Sequence, residues 1–370
     1  MLLLLAAGLL LLVLGADALV RGASRLALNA GLSPLVVGLT VVAFGTSAPE
    51  VAVSVGASLS GQSALALGNV VGSNVFNVLF ILGLSALVAP LVAHRQLVRL
   101  DVPIGIGVAA VAFLMALDGT ISGIDGLLLS IGLVAYTGLQ VQMARSGASD
   151  AAGTDASEVP TTTGTVAEDH DGWAGHWLVS VGLVVGGLGL LVLGAQWFVE
   201  GTVEVARRLG LSELVIGLTI VAGGTSLPEL ATSVLASVRG QRDIAVGNVV
   251  GSNLFNLLGV LGLSAVVAPA GLPVSEAVLW FDLPVMIAAA VACLPIFYTA
   301  HRIDRWEGGL FLGLYGAYVA YLILAASQHA ALSTFSLAMG AFVLPLTAVT
   351  LAVLGLRAWR SGTTDSEAEA

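Results

Sequence analysis

The stretch GLSPLVVGLTVVAFGTSAPE at residues 31–50 returns 179 positions later as GLSELVIGLTIVAGGTSLPE at residues 210–229. The alignment at this offset holds without a gap from about residue 11 to residue 90, and 41 of the 60 pairs from residue 31 to residue 90 are identical. Shared hydrophobicity alone would not keep Asn, Ser, Pro and Glu in register. The chain therefore contains an internal duplication, which has to be recognised before a fold is proposed.

The composition indicates a membrane protein, because 57% of the 370 residues are hydrophobic and only 10% are charged. A helix needs roughly 20 apolar residues to cross the hydrocarbon layer. Runs of this kind follow one another along the sequence, and the first has neither the basic start nor the cleavage site of a secretory signal. They predict eleven helices, at residues 2–20, 34–59, 64–93, 102–117, 125–143, 177–203, 213–238, 244–267, 278–299, 307–326 and 333–356.

One segment interrupts the hydrophobic pattern. Residues 146–172 are rich in Ser, Thr, Gly, Ala and acidic residues, a composition typical of a flexible linker. The predicted organisation is a first repeat at residues 1–145, an acidic cytoplasmic linker at 146–172, a second repeat at 173–326, and an extra helix with an acidic tail at 327–370.

The arginines indicate how the repeats are oriented, because short cytoplasmic loops collect basic residues. All 13 basic residues are arginine, and with the N-terminus outside only Arg207 and Arg208 lie on the outer side. The five helices before the linker make the second repeat enter from the opposite face. The predicted fold is an all-α polytopic membrane protein with two inverted five-helix repeats, a ten-helix core and one extra C-terminal helix. We expect it in the plasma membrane, with the linker and C-terminus cytoplasmic.

Each copy of the motif GTSxPE carries a glutamate inside an apolar run, Glu50 in the first and Glu229 in the second. A carboxylate near the bilayer centre costs on the order of 3 kcal/mol, so it indicates ion or proton handling. Pro49 and Pro228 lack an amide hydrogen, and we expect the helices to loosen there and to free carbonyls at about residues 43–46 and 222–225. Carboxylate, hydroxyl and carbonyl oxygens suit Ca²⁺ and Na⁺.

A second polar stripe lies on the helices that follow. Its members are four residues apart and share one helix face: Asn69, Ser73 and Asn77, repeated as Asn248, Ser252 and Asn256. Helix adhesion explains an isolated Ser or Asn, whereas a stripe duplicated opposite a duplicated glutamate favours a ligand role.

Other polar residues are interpreted as structural. Asp17 is four residues before Arg21 and is expected to form a local ion pair, and Asp101 and Asp282 lie near helix starts, where a carboxylate is favoured. Cys293 is interpreted as a packing residue. The sequence has no His/Glu metal spacing, no nucleophile beside a base and no cofactor motif, so we expect neither an enzyme nor a cofactor.

The paired GTSxPE and GNxxGSNxxN segments resemble the alpha repeats of the calcium/cation antiporter superfamily, in its sodium/calcium exchanger branch of prokaryotic type. The resemblance covers about the first 326 residues. It implies a secondary transporter that exchanges Na⁺ for Ca²⁺ by alternating access at a shared midplane site. It also implies a monomeric functional unit in the lipid bilayer, with no nucleic-acid partner.

The resemblance further implies roles for single residues. Ca²⁺ would be held by Glu50 and Glu229 with the carbonyls of Thr46 and Thr225, and Asn77 and Asn256 would complete the ring. Flanking Na⁺ sites would use the hydroxyls of Thr46, Ser47, Thr225, Ser226, Ser73 and Ser252 and carbonyls near Ala43 and Ala222. Some relatives carry aspartate at the position of Asn256, so the number of Na⁺ ions stays open here. The first and sixth helices would move, eased by Gly182, Gly186, Gly187 and Gly189.

Two other functions compete with this interpretation. A proton/calcium antiporter could use the same glutamates, although relatives with that activity carry GN rather than GTS before the glutamate. A cation channel could use them as a selectivity site, but inverted repeats favour alternating access.

Overall fold

The computed structural model describes residues 2–30, 33–153, 177–208, 222–298, 302–350 and 353, and its elements are mostly long helices. The first half contains α1 (Leu2–Ala30), α2 (Pro34–Thr46), α3 (Ala48–Leu59), α4 (Ser63–Val88), β1 (Leu91–Val92), α5 (Leu97–Asp118), β2 (Thr120–Ile121) and α6 (Gly123–Gly153). The second half contains α7 (Trp177–Arg208), α8 (Ala222–Gly224), α9 (Leu227–Val238), α10 (Arg242–Val267), β3 (Leu272–Pro273), α11 (Val278–Phe297), β4 (Arg302–Ile303), α12 (Arg305–Ala326) and α13 (Ala331–Thr350).

The described part of the chain contains nine helices long and apolar enough to cross a membrane, or ten when the bent pair α2 and α3 counts as one span. The remaining predicted helix, at residues 213–238, lies partly outside the described residues, and its described part is α8 and α9. The fifth predicted helix is longer than expected. It continues as α6 to Gly153, into the predicted linker, whose residues 154–172 are outside the described part.

Two short strand pairs tie the repeats together. β1 pairs antiparallel with β4, with Leu91 opposite Ile303, and β2 pairs antiparallel with β3, with Ile121 opposite Leu272. Because the single span α5 separates β1 from β2, the two pairs lie at opposite ends of the helices. β1 and β3 both follow the helix that carries the polar stripe, yet they belong to opposite ends. Equivalent parts of the two halves therefore face opposite sides, which confirms that the repeats are inverted.

The centre of the bundle is formed by the two helices that carry the polar stripes. Along their apolar spans, α4 is 78% buried and α10 is 83% buried, against 6% for α12 and 0% for α13. The extra C-terminal helix α13 is therefore peripheral to the core. Glycine allows α10 to approach α2 closely, because a Cβ atom on Gly251 would lie 2.6 Å from the carbonyl oxygen of Leu39.

The long helices α1 and α7 pack against each other along most of their length. Glycines seven residues apart mark the contact, with Gly15 against Gly187 and Gly8 against Gly194. A Cβ atom on Gly15 would lie 2.8 Å from the carbonyl oxygen of Gly187. Of the four glycines expected to ease movement, Gly187 lies at this contact, whereas a Cβ atom on Gly182, Gly186 or Gly189 would meet nothing within 4 Å.

Candidate ion-binding site

Both glutamates of the repeated motif lie in the first turn of a helix that restarts after a break. Ser47 separates α2 from α3 with φ −81° and ψ 7°, and the two helices are bent by 44°. Ser226 has almost the same conformation, with φ −88° and ψ 12°, before α9. The predicted break at the proline is confirmed, and each carboxylate lies at the positive end of a helix dipole.

The two motifs exchange hydrogen bonds. The Ser47 Oγ donates to the Glu229 Oε1 at 2.8 Å, and the Ser226 Oγ donates to the Glu50 Oε1 at 2.8 Å. Both carboxylates and both serines are fully buried. Each glutamate is therefore held by the serine of the other repeat, and the site exists only where the two halves meet.

A second pair of crossed bonds surrounds the first. The Thr46 Oγ1 donates to the Asn248 Oδ1 at 3.1 Å, and the Thr225 Oγ1 donates to the Asn69 Oδ1 at 3.2 Å. The amide nitrogen of each asparagine then donates at 2.9 Å to a serine of its own repeat: Asn69 to Ser54 and Asn248 to Ser233. These asparagines of the predicted stripe therefore connect the repeats.

Several of the predicted site residues carry buried oxygens that have no hydrogen-bond partner. The Ser73 Oγ donates to the Glu50 Oε1 at 3.5 Å. The partnerless oxygens are the Glu50 Oε2, Glu229 Oε2, Asn77 Oδ1, Asn256 Oδ1 and Ser252 Oγ. Buried oxygens normally have partners, and a cluster of carboxylate, amide and hydroxyl oxygens is the donor set of a hard cation.

The two asparagines with partnerless oxygens lie in wide helical turns. Asn77 lies in a π-helical turn at Phe76–Leu82, and Asn256 begins the equivalent turn at Asn256–Val260. Such turns are frequent at functional sites because they change the direction of the helix face. The hydrophobic pattern of the sequence gave no sign of them.

Two of the predicted positions are less informative. The carbonyl oxygen of Ala43 already accepts hydrogen bonds from the Ser47 N–H at 3.1 Å and from the Thr46 Oγ1 at 3.4 Å. In a regular helix the carbonyl oxygen of Gly45 would accept a hydrogen bond from the amide of residue 49. Residue 49 is proline, which has no amide hydrogen, so it is the Gly45 carbonyl that loses its helical donor. Ala222 is the first described residue after the gap that ends at residue 221.

Sequence reasoning missed Asn253, whose Oδ1 accepts a hydrogen bond from the Asn77 Nδ2 at 3.0 Å. It also missed Ser54 and Ser233, which support the stripe asparagines. All three could have been found by a stricter use of the duplication, because each is a polar residue preserved at the offset of 179 positions.

The acidic residues that were interpreted as structural have ion-pair or hydrogen-bond partners outside the candidate ion site. The Asp17 Oδ2 lies 3.1 Å from the Arg21 Nε, as predicted, and Asp17 also contacts Arg239, in the turn between α9 and α10. The Tyr136 hydroxyl donates to Asp101 at 3.0 Å, which ties α6 to α5, and the Tyr318 hydroxyl donates to Asp282 at 2.9 Å, which ties α12 to α11.

Comparison with known proteins shows the family to which the chain belongs. The family model described as sodium/calcium exchanger protein matches residues 1–142 and 179–324. The sodium/calcium exchanger MaX1 of Methanosarcina acetivorans is 34% identical over 306 residues, which are 76% of this chain and 87% of MaX1. The inner membrane protein YrbG of Escherichia coli is 41% identical over 237 residues, covering 62% of this chain and 68% of YrbG.

A solved structure agrees with the arrangement of the helices. The sodium-calcium exchanger NCX_Mj, soaked with 2.5 mM Na⁺ and 0.1 mM Ca²⁺, superposes with a TM-score of 0.71 and 31% identity, covering 86% of this chain and 96% of that chain. The fold and these relatives define a multi-pass membrane antiporter for Ca²⁺ and a second cation, and not an enzyme. The chain belongs to the sodium/calcium exchanger protein family.

Proposed function

We propose that the protein exchanges Na⁺ for Ca²⁺ across the membrane by alternating access at the site between the two GTSxPE motifs. The observation that carries the proposal is the crossed pair of buried glutamates, each held through one oxygen by Ser47 or Ser226 and each with its other oxygen free. The names of MaX1 and NCX_Mj, which are sodium/calcium exchangers, support Na⁺ as the second ion.

The buried oxygens where the two repeats meet support the following ligand roles. Ca²⁺ takes about six to eight oxygen ligands, and the free oxygens of Glu50 and Glu229 supply the charged ones. Amide oxygens of Asn77 and Asn256 and the carbonyls of Thr46 and Thr225 complete this set. The Na⁺ ions use the neighbouring hydroxyls and carbonyls: those of Thr46, Ser47, Ser73, Thr225, Ser226 and Ser252, and the carbonyls near Ala43 and Ala222.

Shared ligands explain how the two gradients are coupled. Among the described residues, no third Asp, Glu, His or Cys side chain joins two others in a group that could hold a metal ion. The negative charge of the proposed site therefore comes from the two carboxylates of Glu50 and Glu229. These two charges balance one Ca²⁺ or two Na⁺ ions. Because the Na⁺ sites adjoin the Ca²⁺ site, share Thr46 and Thr225 with it and depend on the same two carboxylate charges, Na⁺ that enters from one side displaces Ca²⁺, and exchange follows when access alternates.

The remaining features of the proposal concern the cell. We place the protein in the plasma membrane with the N-terminus outside, because this orientation puts eleven of the 13 arginines in the cytoplasm. The residues at 154–172 are then a cytoplasmic linker between two five-helix repeats. One chain carries both halves of the site, so a monomer surrounded by lipid is the functional unit. Exchange of the two ions needs no cofactor and no nucleic acid.

Reconstitution into liposomes tests the choice of ion. Purified protein in Na⁺-loaded liposomes is diluted into Na⁺-free medium that contains radioactive Ca²⁺, and uptake is compared with that driven by a pH gradient without Na⁺. We expect uptake with the Na⁺ gradient only, and none with Glu50→Gln protein reconstituted at the same density.

Other outcomes assign the alternatives. Uptake driven by the pH gradient alone would make the protein a proton/calcium antiporter. Single-channel currents in a planar bilayer, absent from the Glu50→Gln protein, would make it a cation channel. Either result overturns the proposal.

A further inference from the structure

Asn77 and Asn256 occupy equivalent positions in the two repeats but have different partners. The Asn77 Nδ2 donates to the Asn253 Oδ1 at 3.0 Å, whereas neither the Nδ2 nor the Oδ1 of Asn256 has a partner. An amide can turn over and present either its nitrogen or its oxygen to a neighbour. Only the oxygen can bind a cation, so the partner of the amide nitrogen decides whether the side chain is a ligand.

Asn77 and Asn256 are called the ring asparagines below. The difference between them arises from the residue three positions before each one. Asn74 and Asn253 are equivalent under the duplication, and each shares a helix face with its ring asparagine. The Asn253 side chain reaches the first repeat, where its Oδ1 accepts a hydrogen bond from the Asn77 Nδ2. Asn74 instead donates from its Nδ2 to the carbonyl oxygen of Val70 in its own helix at 2.8 Å.

Asn253 is itself held in place by the first repeat. Its Nδ2 donates to the backbone carbonyl oxygen of Asn74 at 3.5 Å, which leaves its Oδ1 directed at Asn77. The π-helical turn that begins at Phe76 packs against α10, so the contact lies where the two central helices cross. The chain of bonds ends at the Asn77 Oδ1, which is fully buried and has no partner.

We infer that Asn253 is a positioning residue that fixes the Asn77 amide with its oxygen towards the cation, while Asn256 stays free to turn. The inference rests on the proposed function, because it gives Asn77 the role of an ion ligand. Asn253 acts on the ion only through Asn77. The two ring asparagines are therefore not equivalent, in spite of the duplication that produced them.

Substitution of the two equivalent residues separates orientation from packing. Asn74 and Asn253 line the same small cavity, of about 40 Å³, so leucine at either position changes the packing of one region. Asn253→Leu removes the acceptor that holds Asn77, and Asn74→Leu removes no bond to a ring asparagine. The backbone carbonyl that supports Asn253 is unchanged in Asn74→Leu.

Calcium binding is measured at equilibrium, by isothermal titration of the purified full chain in detergent with CaCl₂. Since a hydrogen bond between two neutral amides holds Asn77 in its ligand orientation, we expect Asn253→Leu to raise the Kd for Ca²⁺ roughly fivefold to tenfold. We expect Asn74→Leu to change the Kd less than about twofold. Equal effects of the two variants would overturn the inference.

Two further variants keep the test decisive. Asn253→Asp retains an oxygen acceptor for Asn77 and loses only the 3.5 Å bond to the Asn74 carbonyl, so its Kd should rise less than that of Asn253→Leu. In an Asn77→Asp background the ring side chain has two equivalent oxygens, and Asn253→Leu should lose most of its effect. A loss in Asn253→Asp equal to that in Asn253→Leu, or an undiminished loss in the Asn77→Asp background, would show a packing role and overturn the inference.

The same measurement distinguishes this inference from the proposed function. Unsubstituted protein that binds no Ca²⁺ contradicts the proposed function, and the positioning role with it. If the unsubstituted protein binds Ca²⁺ and the Asn253→Leu variant binds it with the same affinity, the positioning role alone is contradicted.

Discussion

The Ser47 hydroxyl donates a 2.8 Å hydrogen bond to the carboxylate of Glu229, which lies 182 residues further along the chain. The bond from Ser226 to Glu50 mirrors it at the same length. Within one repeat the serine and the glutamate are only three residues apart, yet the hydrogen bond of each serine goes to the glutamate of the other repeat. The duplication therefore produced two incomplete halves, and the inverted arrangement makes one site of them.

The first prediction concerns the charge of this site. Glu50→Gln and Glu229→Gln each remove one of two negative charges that balance a divalent cation, and each should abolish Ca²⁺ binding and exchange. The protein should remain inserted and monodisperse, because a buried neutral amide costs less than a buried carboxylate. Radioactive Ca²⁺ uptake into proteoliposomes measures the first effect and size-exclusion chromatography the second.

Glu200→Gln is the matched control for these variants, because it neutralises an exposed carboxylate on α7 that lies outside the site. Its uptake should equal that of the unsubstituted protein. Near-normal exchange by Glu50→Gln or Glu229→Gln would mean that the ions bind elsewhere.

The second prediction concerns the crossed serines. Ser47→Ala removes a hydrogen bond to Glu229, and Ser226→Ala removes the equivalent bond to Glu50. Each bond to a carboxylate is worth about 1.5–3 kcal/mol, so each variant should lower Ca²⁺ affinity roughly tenfold or more. The two losses should be similar in size, because the bonds have the same length.

Calorimetric titration with Ca²⁺ checks this prediction, with Ser58→Ala as the control. Ser58 is fully buried on the same helix as Glu50, and its hydroxyl has no hydrogen-bond partner. Its replacement should leave the affinity unchanged. A large loss in only one of the two serine variants would argue against a site shared equally by the repeats.

The third prediction uses two neighbouring glycines on α7. A Cβ atom on Gly187 would lie 2.7 Å from the backbone nitrogen of Leu19 in α1, while a Cβ atom on Gly186 would meet nothing within 4 Å. Overpacking costs about 1–3 kcal/mol, so Gly187→Ala should lower the melting temperature in detergent. Gly186→Ala should leave it unchanged or raise it slightly, since alanine favours helix.

Thermal melting followed by size-exclusion chromatography compares the two variants directly. Since α1 and α7 are the helices expected to move, Gly187→Ala should also slow exchange, and Gly186→Ala should not. Indistinguishable variants would show that the close contact between α1 and α7 is unimportant for stability and transport.

Much of this site could be predicted from the sequence, and the reasons are local. Pro49 and Pro228 lack an amide hydrogen and clash with the preceding turn, so the motif predicts the helix restart that places Glu50 and Glu229 in a first turn. The offset of 179 residues and the arginine distribution gave the inverted repeats. These features depend on neighbouring residues or on counts along the chain.

The rest of the site depends on distances between helices, which no local pattern contains. Whether Asn253 bonds to Asn77 or to its own helix is decided by the packing of α4 against α10, and its equivalent Asn74 makes the other choice. The end of α6 shows a second limit. Small and polar residues after position 145 indicated a linker, but alanine is also the best helix former, and the helix continues to Gly153.

The last prediction concerns the movement of α1, which contacts α9 and is also joined to the turn after it by the ion pair of Asp17 with Arg239. Cysteines at these two positions, in a chain whose only cysteine, Cys293, is replaced by alanine, can be joined by a short bis-methanethiosulfonate, which forms one reducible disulfide bond with each thiol and releases sulfinate. If α1 must move against α9 during each cycle, joining them should stop Ca²⁺ exchange, and reduction should restore it. Ca²⁺ binding should survive, since neither residue belongs to the ion site. The reagent should have no effect on protein with the cysteine at position 17 alone. Exchange that continues at full rate in cross-linked protein would show that α1 and α9 move together.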